Sequence, residues 1–200
     1  MARKPPAKKK AADKLQVTVT YLEMTAPPTH RPVPMPLAKV ALLEAEKPTV
    51  SFYRYLYNTV GEAWLWGDRR ELSDTMLKAI IHDERCTVLV LYRAGVPAGF
   101  AELFRGEDHT TEISYFGLIP EFFGQGLGRY LLQAAIERAW RDEPRRLVVE
   151  TCTLDHPRAL TLYQWAGFRP YAQEEVLRDD PRALGLIPKS VAPQHPMGAA

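Results

Sequence analysis

The chain has 200 residues, 46% of them hydrophobic and 25% charged, with a net charge of +2; that length suits one domain with a full core, and the composition excludes disorder throughout. Five of the 26 Lys and Arg residues, and no acid, fall in MARKPPAKKKAA at 1–12, which leaves 21 basic against 24 acidic residues in the body. A nucleic-acid-binding domain would keep a basic face of its own, so nucleic acid is not an expected partner.

Taken in order, residues 1–13 read as a disordered basic tail. The start is charged but has no apolar h-region, so no secretory signal is expected. Residues 15–23, LQVTVTYLE, alternate as a strand does. Pro27, Pro28, Pro32, Pro34 and Pro36 forbid helix and central strand over 25–36, which reads as a strap across the surface. Helices are predicted over 49–63, capped by Thr49 or Ser51, and over 73–83, capped by Ser73. Strands at 86–93 and 97–104 are joined by a tight turn at Ala94-Gly95, and a third strand covers 110–119. A long helix runs from about Gly126 to Trp140, a strand covers 146–153, and a helix covers 157–166 with Pro157 in its first turn. Gly167 ends that helix, and FRPYAQEEV returns as a strand. The order β–α–α–β–β–β–α–β–α–β predicts a single mixed α/β domain over 14–176, with 177–200 as a C-terminal extension.

The most informative stretch is LIPEFFGQGLGRYLL, Leu118 to Leu132. A strand runs into Gly124, Gly126 and Gly128, which open an amphipathic helix. Free N–H groups and the helix dipole at such a start favour an anion. A dinucleotide fingerprint fails on context, because the turn follows antiparallel-looking strands late in the chain and no acid is placed for a ribose.

Here the sequence resembles the GNAT superfamily of N-acetyltransferases. The family's cofactor motif, Gln/Arg-x-x-Gly-x-Gly/Ala after a Val-x-Pro-like strand end, is similar to Leu118-Ile119-Pro120 followed by Phe123-Gly124-Gln125-Gly126-Leu127-Gly128. Its second motif, Asn-x-x-Ala-x-x-Leu-Tyr-x-x-x-Gly-Phe, is similar to the run from His156 through Ala159, Leu162 and Tyr163 to Gly167-Phe168. The two matches cover roughly 86–175. The resemblance implies a central twisted mixed sheet flanked by helices. It implies acetyl-CoA as co-substrate, held by Leu118, Ile119, Pro120, Phe123, Gly124, Gln125, Gly126, Leu127, Gly128, Arg129, His156 and Tyr163. Phe123 stands where the family has Gln or Arg, so Gln125 or Arg129 is left to supply a side-chain contact. His156 stands where the family has Asn, and an imidazole can still make one hydrogen bond.

Acetyl transfer from a thioester to an amine needs the amine to lose a proton, a donor for the oxyanion, and a proton for the leaving thiolate. The resemblance makes Tyr163 the general acid; from position alone it is a core tyrosine on an amphipathic helix. Glu112 lies on the strand entering the cofactor loop, 14 residues before Gly126. The resemblance gives that spacing to the base of the histone-acetylating branch. A solvent-facing strand Glu is the competing reading, and Glu102, Glu150 or a water chain are alternative bases. Cys152 reads as a small buried hydrophobe rather than a nucleophile. The five histidines lack metal-ligand spacing, so no metal is expected. The segment from Phe52 to Tyr57, with Trp64, Trp66 and Asp68-Arg69-Arg70, is aromatic and charged and would wall the acceptor site.

The function expected is acetyl transfer from acetyl-CoA to a primary amine of unassigned identity, on a small molecule or a protein. A non-catalytic acyl-CoA sensor, and an interaction protein using the tail and strap, are the competing classes. Cys86 and Cys152 imply no disulfide framework, and with no apolar run long enough to span a membrane a cytoplasmic enzyme is expected, a homodimer being allowed.

Overall fold

A computed structural model describes residues 14–29, 33–34 and 39–197. The basic tail, the last three residues and parts of the proline-rich strap lie outside these. Seven strands form one sheet: β1 (Lys14–Met24), β2 (Val40–Glu44), β3 (Cys86–Arg93), β4 (Val96–Arg105), β5 (Thr110–Leu118), β6 (Arg146–Cys152) and β7 (Arg169–Asp179). Their order is β2-β3-β4-β5-β6-β1-β7. Every pairing is antiparallel except β5 with β6. Helices α1 (Val50–Gly61), α2 (Asp68–Glu71), α3 (Asp74–Ile81), α4 (Leu127–Trp140) and α5 (Ala159–Trp165) flank it.

Alternation along the central strands builds two layers, since successive side chains leave a strand on opposite faces. Leu89 and Leu91 of β3 join Leu131, Leu132 and Ile136 of α4 in one core. Val88 and Val90 join Tyr53, Leu56 and Val60 of α1 and Leu77 of α3 in another. The caps form as the sequence predicts. Thr49 accepts from the Phe52 N–H at 3.3 Å, and Ser73 accepts from the Met76 N–H at 3.3 Å. Ala94 and Gly95 both take positive φ, 52° and 88°, as a tight hairpin turn requires.

Three expectations are corrected. The first helix stops at Gly61, passes through a single 3-10 turn at Glu62–Trp64, and ends on Leu65 with φ 58°. Pro157 precedes α5, which starts at Ala159. The edge strand β2 and the one-turn helix α2 were not anticipated; five and four residues carry too little periodicity to register.

The feature that makes the site is a splay. The parallel ladder between β5 and β6 runs from Thr110↔Arg146 to Ile113↔Val149 and stops. β5 continues to Leu118 alongside β4, and β6 continues to Cys152 alongside β1. A bulge helps the strands part: Leu103 faces Ile113 and Glu102 faces Tyr115, so Ser114 has no partner on β4. The resulting wedge opens toward α4, α5 and the segment after α1.

Residues beyond 176 extend β7 to Asp179 and then fold back. Ile187 and Ala192 are buried with Leu15, Val17 and Val19 of β1, Leu65 and Leu154. Asp180 and Arg182 form a buried ion pair at 2.8 Å, and Arg182 also donates to the carbonyls of Val191 and Ala192.

Candidate active site

The wedge is a cleft of about 1660 Å³. The glycine loop, α5, the loop before it, the segment after α1, and the end of β7 all contribute to its wall. Gly124 and Gly126 each have φ 76°, a region L side chains rarely adopt, and a Cβ on either would meet nothing within 4 Å. Gly128 has no such φ, and its Cβ would touch only a Leu118 methyl at 3.7 Å. The loop therefore presents open backbone at the N-terminus of a 14-residue helix, a setting suited to phosphate oxygens.

The structure divides the expected cofactor residues. Leu118, Phe123, Gly124, Gly126, Gly128, Arg129, His156 and Tyr163 line the cleft, while Ile119, Pro120, Gln125 and Leu127 do not. Ile119 is buried against α1 and α3, and Leu127 is in the core under α4. Gln125 donates to the Glu121 carbonyl at 3.3 Å. Arg129 lies 4.8 Å over the Trp165 ring on the cleft wall. Of the two side-chain contacts left open by Phe123, the Arg129 guanidinium is the one at the cleft.

Phe123 and His156, the two departures from the motif pattern, meet edge to face at 5.6 Å. Trp64 contacts His156 at 5.2 Å, so three rings from three segments share one wall. The His156 Nδ1 accepts the Arg158 N–H at 3.1 Å. Burial, and then Arg158, lower its pKa, which keeps the imidazole neutral with its proton on Nε2.

Tyr163 is 6% exposed and packs edge to face on Phe116 and Phe168 at 6.1 and 6.0 Å. Its hydroxyl has no hydrogen-bond partner among the described residues. Burial, and then Asp155, push its pKa far above the ordinary phenol value, so it stays a proton donor. The chemistry available to a partnerless buried phenol at a cleft wall is donation to a ligand atom.

Glu112 is exposed to solvent at the cleft wall, as the competing reading of a solvent-facing strand Glu expects. Loss of bulk water raises its pKa, as do Glu150 and Glu102, against an opposing effect of Arg69. It has no hydrogen-bond partner among the described residues. Glu150 accepts from Arg178 at 3.0 Å. Glu102 is fully buried, accepting from Arg69 at 2.6 Å and from the Tyr53 hydroxyl. The structure thus places Glu112 apart from the two other carboxylates considered, each of which has a partner. Cys152 also lines the cleft, but burial pushes its thiol up to about 11, which makes it a poor nucleophile at neutral pH.

Pro181 and Leu184 line the cleft. Sequence reasoning assigned them no role, since nothing local marks a Pro and a Leu beyond the last motif as site residues. A Cβ on Gly67 would come within 3.3 Å of Pro181, so this segment packs closely on the turn before α2. Among the described residues, no group of three or more His, Cys, Asp or Glu could hold a metal ion, and no helix is long and apolar enough to cross a membrane.

The sequence pattern of the Acetyltransferase (GNAT) family matches residues 51–168. A putative [ribosomal protein bS18]-alanine N-acetyltransferase of Bacillus subtilis is 29% identical over 98 residues, 49% of this chain and 64% of that protein. The aligned part is thus just under two thirds of the relative's length. Among solved structures, a GCN5-related N-acetyltransferase from Sphaerobacter thermophilus superposes with TM-score 0.59 at 16% identity, over 80% of this chain and 50% of that one. The ribosomal-protein-S18-alanine N-acetyltransferase of Escherichia coli gives 0.54 at 21%, over 66% and 79%. The mixed α/β fold with a central flanked sheet is therefore the one these acetyltransferases share.

Proposed function

This chain belongs to the GNAT acetyltransferase family, and from that premise we propose that it transfers an acetyl group from acetyl-CoA to a primary amine by direct attack on the thioester. The observation that carries the reading is the meeting, in one cleft, of the open glycine backbone at α4 with the partnerless hydroxyl of Tyr163. The cradle fits a diphosphate: side chains are absent where it would lie, and the N–H groups of a helix start face the space. Gly124, Gly126, Gly128 and Arg129 would hold the phosphates, and Leu118, Phe123 and His156 would line the pantetheine arm. Acetyl-CoA supplies the activated thioester. Tyr163 would donate a proton to the leaving sulfur, and Glu112 would take one from the acceptor ammonium, directly or through water. A primary amine, with a pKa from about 8 at a peptide N-terminus to about 10.4 for lysine, is mostly protonated at neutral pH, so a base with a raised pKa suits the step. The Bacillus subtilis relative is named for acetylation of an alanine amine, an acceptor of this kind.

The test combines binding and turnover. Acetyl-CoA should raise the melting temperature, and free thiol should appear only when an amine is present. A shift without thiol release across a broad amine panel would favour an acyl-CoA sensor. Absence of any shift would overturn the reading.

A further inference from the structure

Within the acceptor half of the cleft, Arg69 is built in an unusual way. It sits on the four-residue helix α2, whose backbone is held by donation from the Arg69 N–H to the Tyr57 hydroxyl at 3.3 Å. Its Nη2 donates to the fully buried carboxylate of Glu102 at 2.6 Å, and the guanidinium carbon lies 5.1 Å from the centre of the Tyr115 ring. Tyr115 is fixed in turn by donating to Asp68 at 3.3 Å. An ion pair at this depth fixes the plane of the guanidinium. The guanidinium also interacts with the Tyr53 hydroxyl, no hydrogen bond from Nη1 itself is formed among the described residues, the side chain is 17% exposed, and Arg69 lines the cleft. A held guanidinium with an unused N–H pair at a cleft wall is suited to an oxygen acceptor.

Glu112 is close by on the same sheet. It pairs with Phe104 on β4, two residues from Glu102, so the Arg69–Glu102 pair and Glu112 occupy adjacent positions on one face. One is an unused donor and the other an unused carboxylate. A ligand that satisfies both carries an ammonium and a carbonyl-type oxygen a few bonds apart.

We propose that the acceptor is an α-amine, meaning an amino group on the carbon next to a carbonyl or carboxylate, with Arg69 binding that oxygen and Glu112 facing the nitrogen. The proposal rests on the acetyltransferase reading above and narrows its acceptor class. Free α-amino acids and peptide N-termini share this chemistry.

The test measures thiol release from acetyl-CoA with alanine, alanine amide, an alanyl tripeptide amide, isopropylamine and an Nα-acetylated lysine amide, each expressed per free base. A charge-assisted hydrogen bond predicts that α-amines exceed isopropylamine and the lysine side chain by roughly 10- to 100-fold in kcat/KM. Alanine against the two amides separates a free amino acid from a peptide N-terminus. In Arg69→Met/Glu102→Gln, which removes the cation without leaving a buried carboxylate unpaired, the preference should collapse through a raised KM for the α-amines. Coenzyme A binding reports that this variant is folded. If it binds none, Arg69→Lys, which keeps the charge and loses the fork, carries the comparison. Turnover with no preference for α-amines, a preference that survives the substitutions, or coenzyme A binding with no α-amine turned over would each overturn the assignment and leave the family reading standing. A parent protein that binds no coenzyme A would overturn the acetyltransferase reading and this proposal with it.

Discussion

At the residue scale the proposed chemistry turns on Tyr163 and Glu112, neither of which has a hydrogen-bond partner among the described residues. Tyr163→Phe keeps the ring contacts with Phe116 and Phe168 and removes only the hydroxyl. Turnover should fall by on the order of 10²–10⁴-fold while coenzyme A affinity holds, as measured by steady-state rates and calorimetry. Unchanged turnover would leave Tyr163 a packing residue. For Glu112 the raised pKa has a definite sign. A carboxyl whose folded pKa exceeds its unfolded one makes the ionised native state less favourable. The penalty is absent below the unfolded pKa and grows as pH rises through the folded pKa. Glu112→Gln should therefore melt no lower than the parent at neutral pH, and any advantage should shrink in acid. The same variant should lose the acidic limb of the pH–rate profile and regain rate at high pH, where free amine is abundant. If it keeps the parent's profile, the base lies elsewhere. Tyr163 and Glu112, singled out from motif and spacing, both line the cleft, because a short motif fixes a local conformation. That Glu102 is spent on Arg69 and Tyr53 could not be read, since those partners lie 33 and 49 residues away along the chain.

At the scale of elements, the glycine loop and α4 act as one unit, and the structure chooses which glycine to test. Gly126→Asp would strain a backbone at φ 76°, so loss of binding could reflect loss of the loop. Gly128→Asp meets only ordinary contact with Leu118, and an acid in a first helical turn is favourable to the helix. It should keep or raise the melting temperature and abolish the acetyl-CoA shift, which for the parent is about 2.7 kcal/mol at a hundredfold excess over Kd. A retained shift would remove the diphosphate from this loop. The long strands and capped helices were legible because alternation and caps act within a few residues. The turn of α2 was not legible as an element, although Asp68, Arg69 and Arg70 were marked as acceptor wall, because one helical turn gains its order from what it packs against.

Across the whole molecule, the segment after β7 ties the turn at 67–70 to the rest. Burial raises the Asp180 pKa, but hydrogen bonds from Arg182 outweigh it and hold the carboxyl below its usual range. Such a group stabilises above its unfolded pKa, and that stability is lost as pH falls through the folded one. Arg182→Met leaves Asp180 buried without its cation and should cost about 3–5 kcal/mol at neutral pH by urea denaturation, with the gap narrowing in acid. A loss near zero would mean the 180–197 segment is only loosely attached. The residues alone settle the two capped helices, the hairpin at Ala94-Gly95, the glycine turn into α4 and the motif around Tyr163, because each depends on neighbours one helical turn or one strand pair away. Packing settles the rest. The parting of β5 and β6 after Ile113, the meeting of Phe123 with His156 and Trp64, the pairing of Arg69 with Glu102, and the return of Pro181 and Leu184 to the cleft join residues far apart in sequence. Such contacts exist only once the sheet order is set, and no local pattern encodes that order.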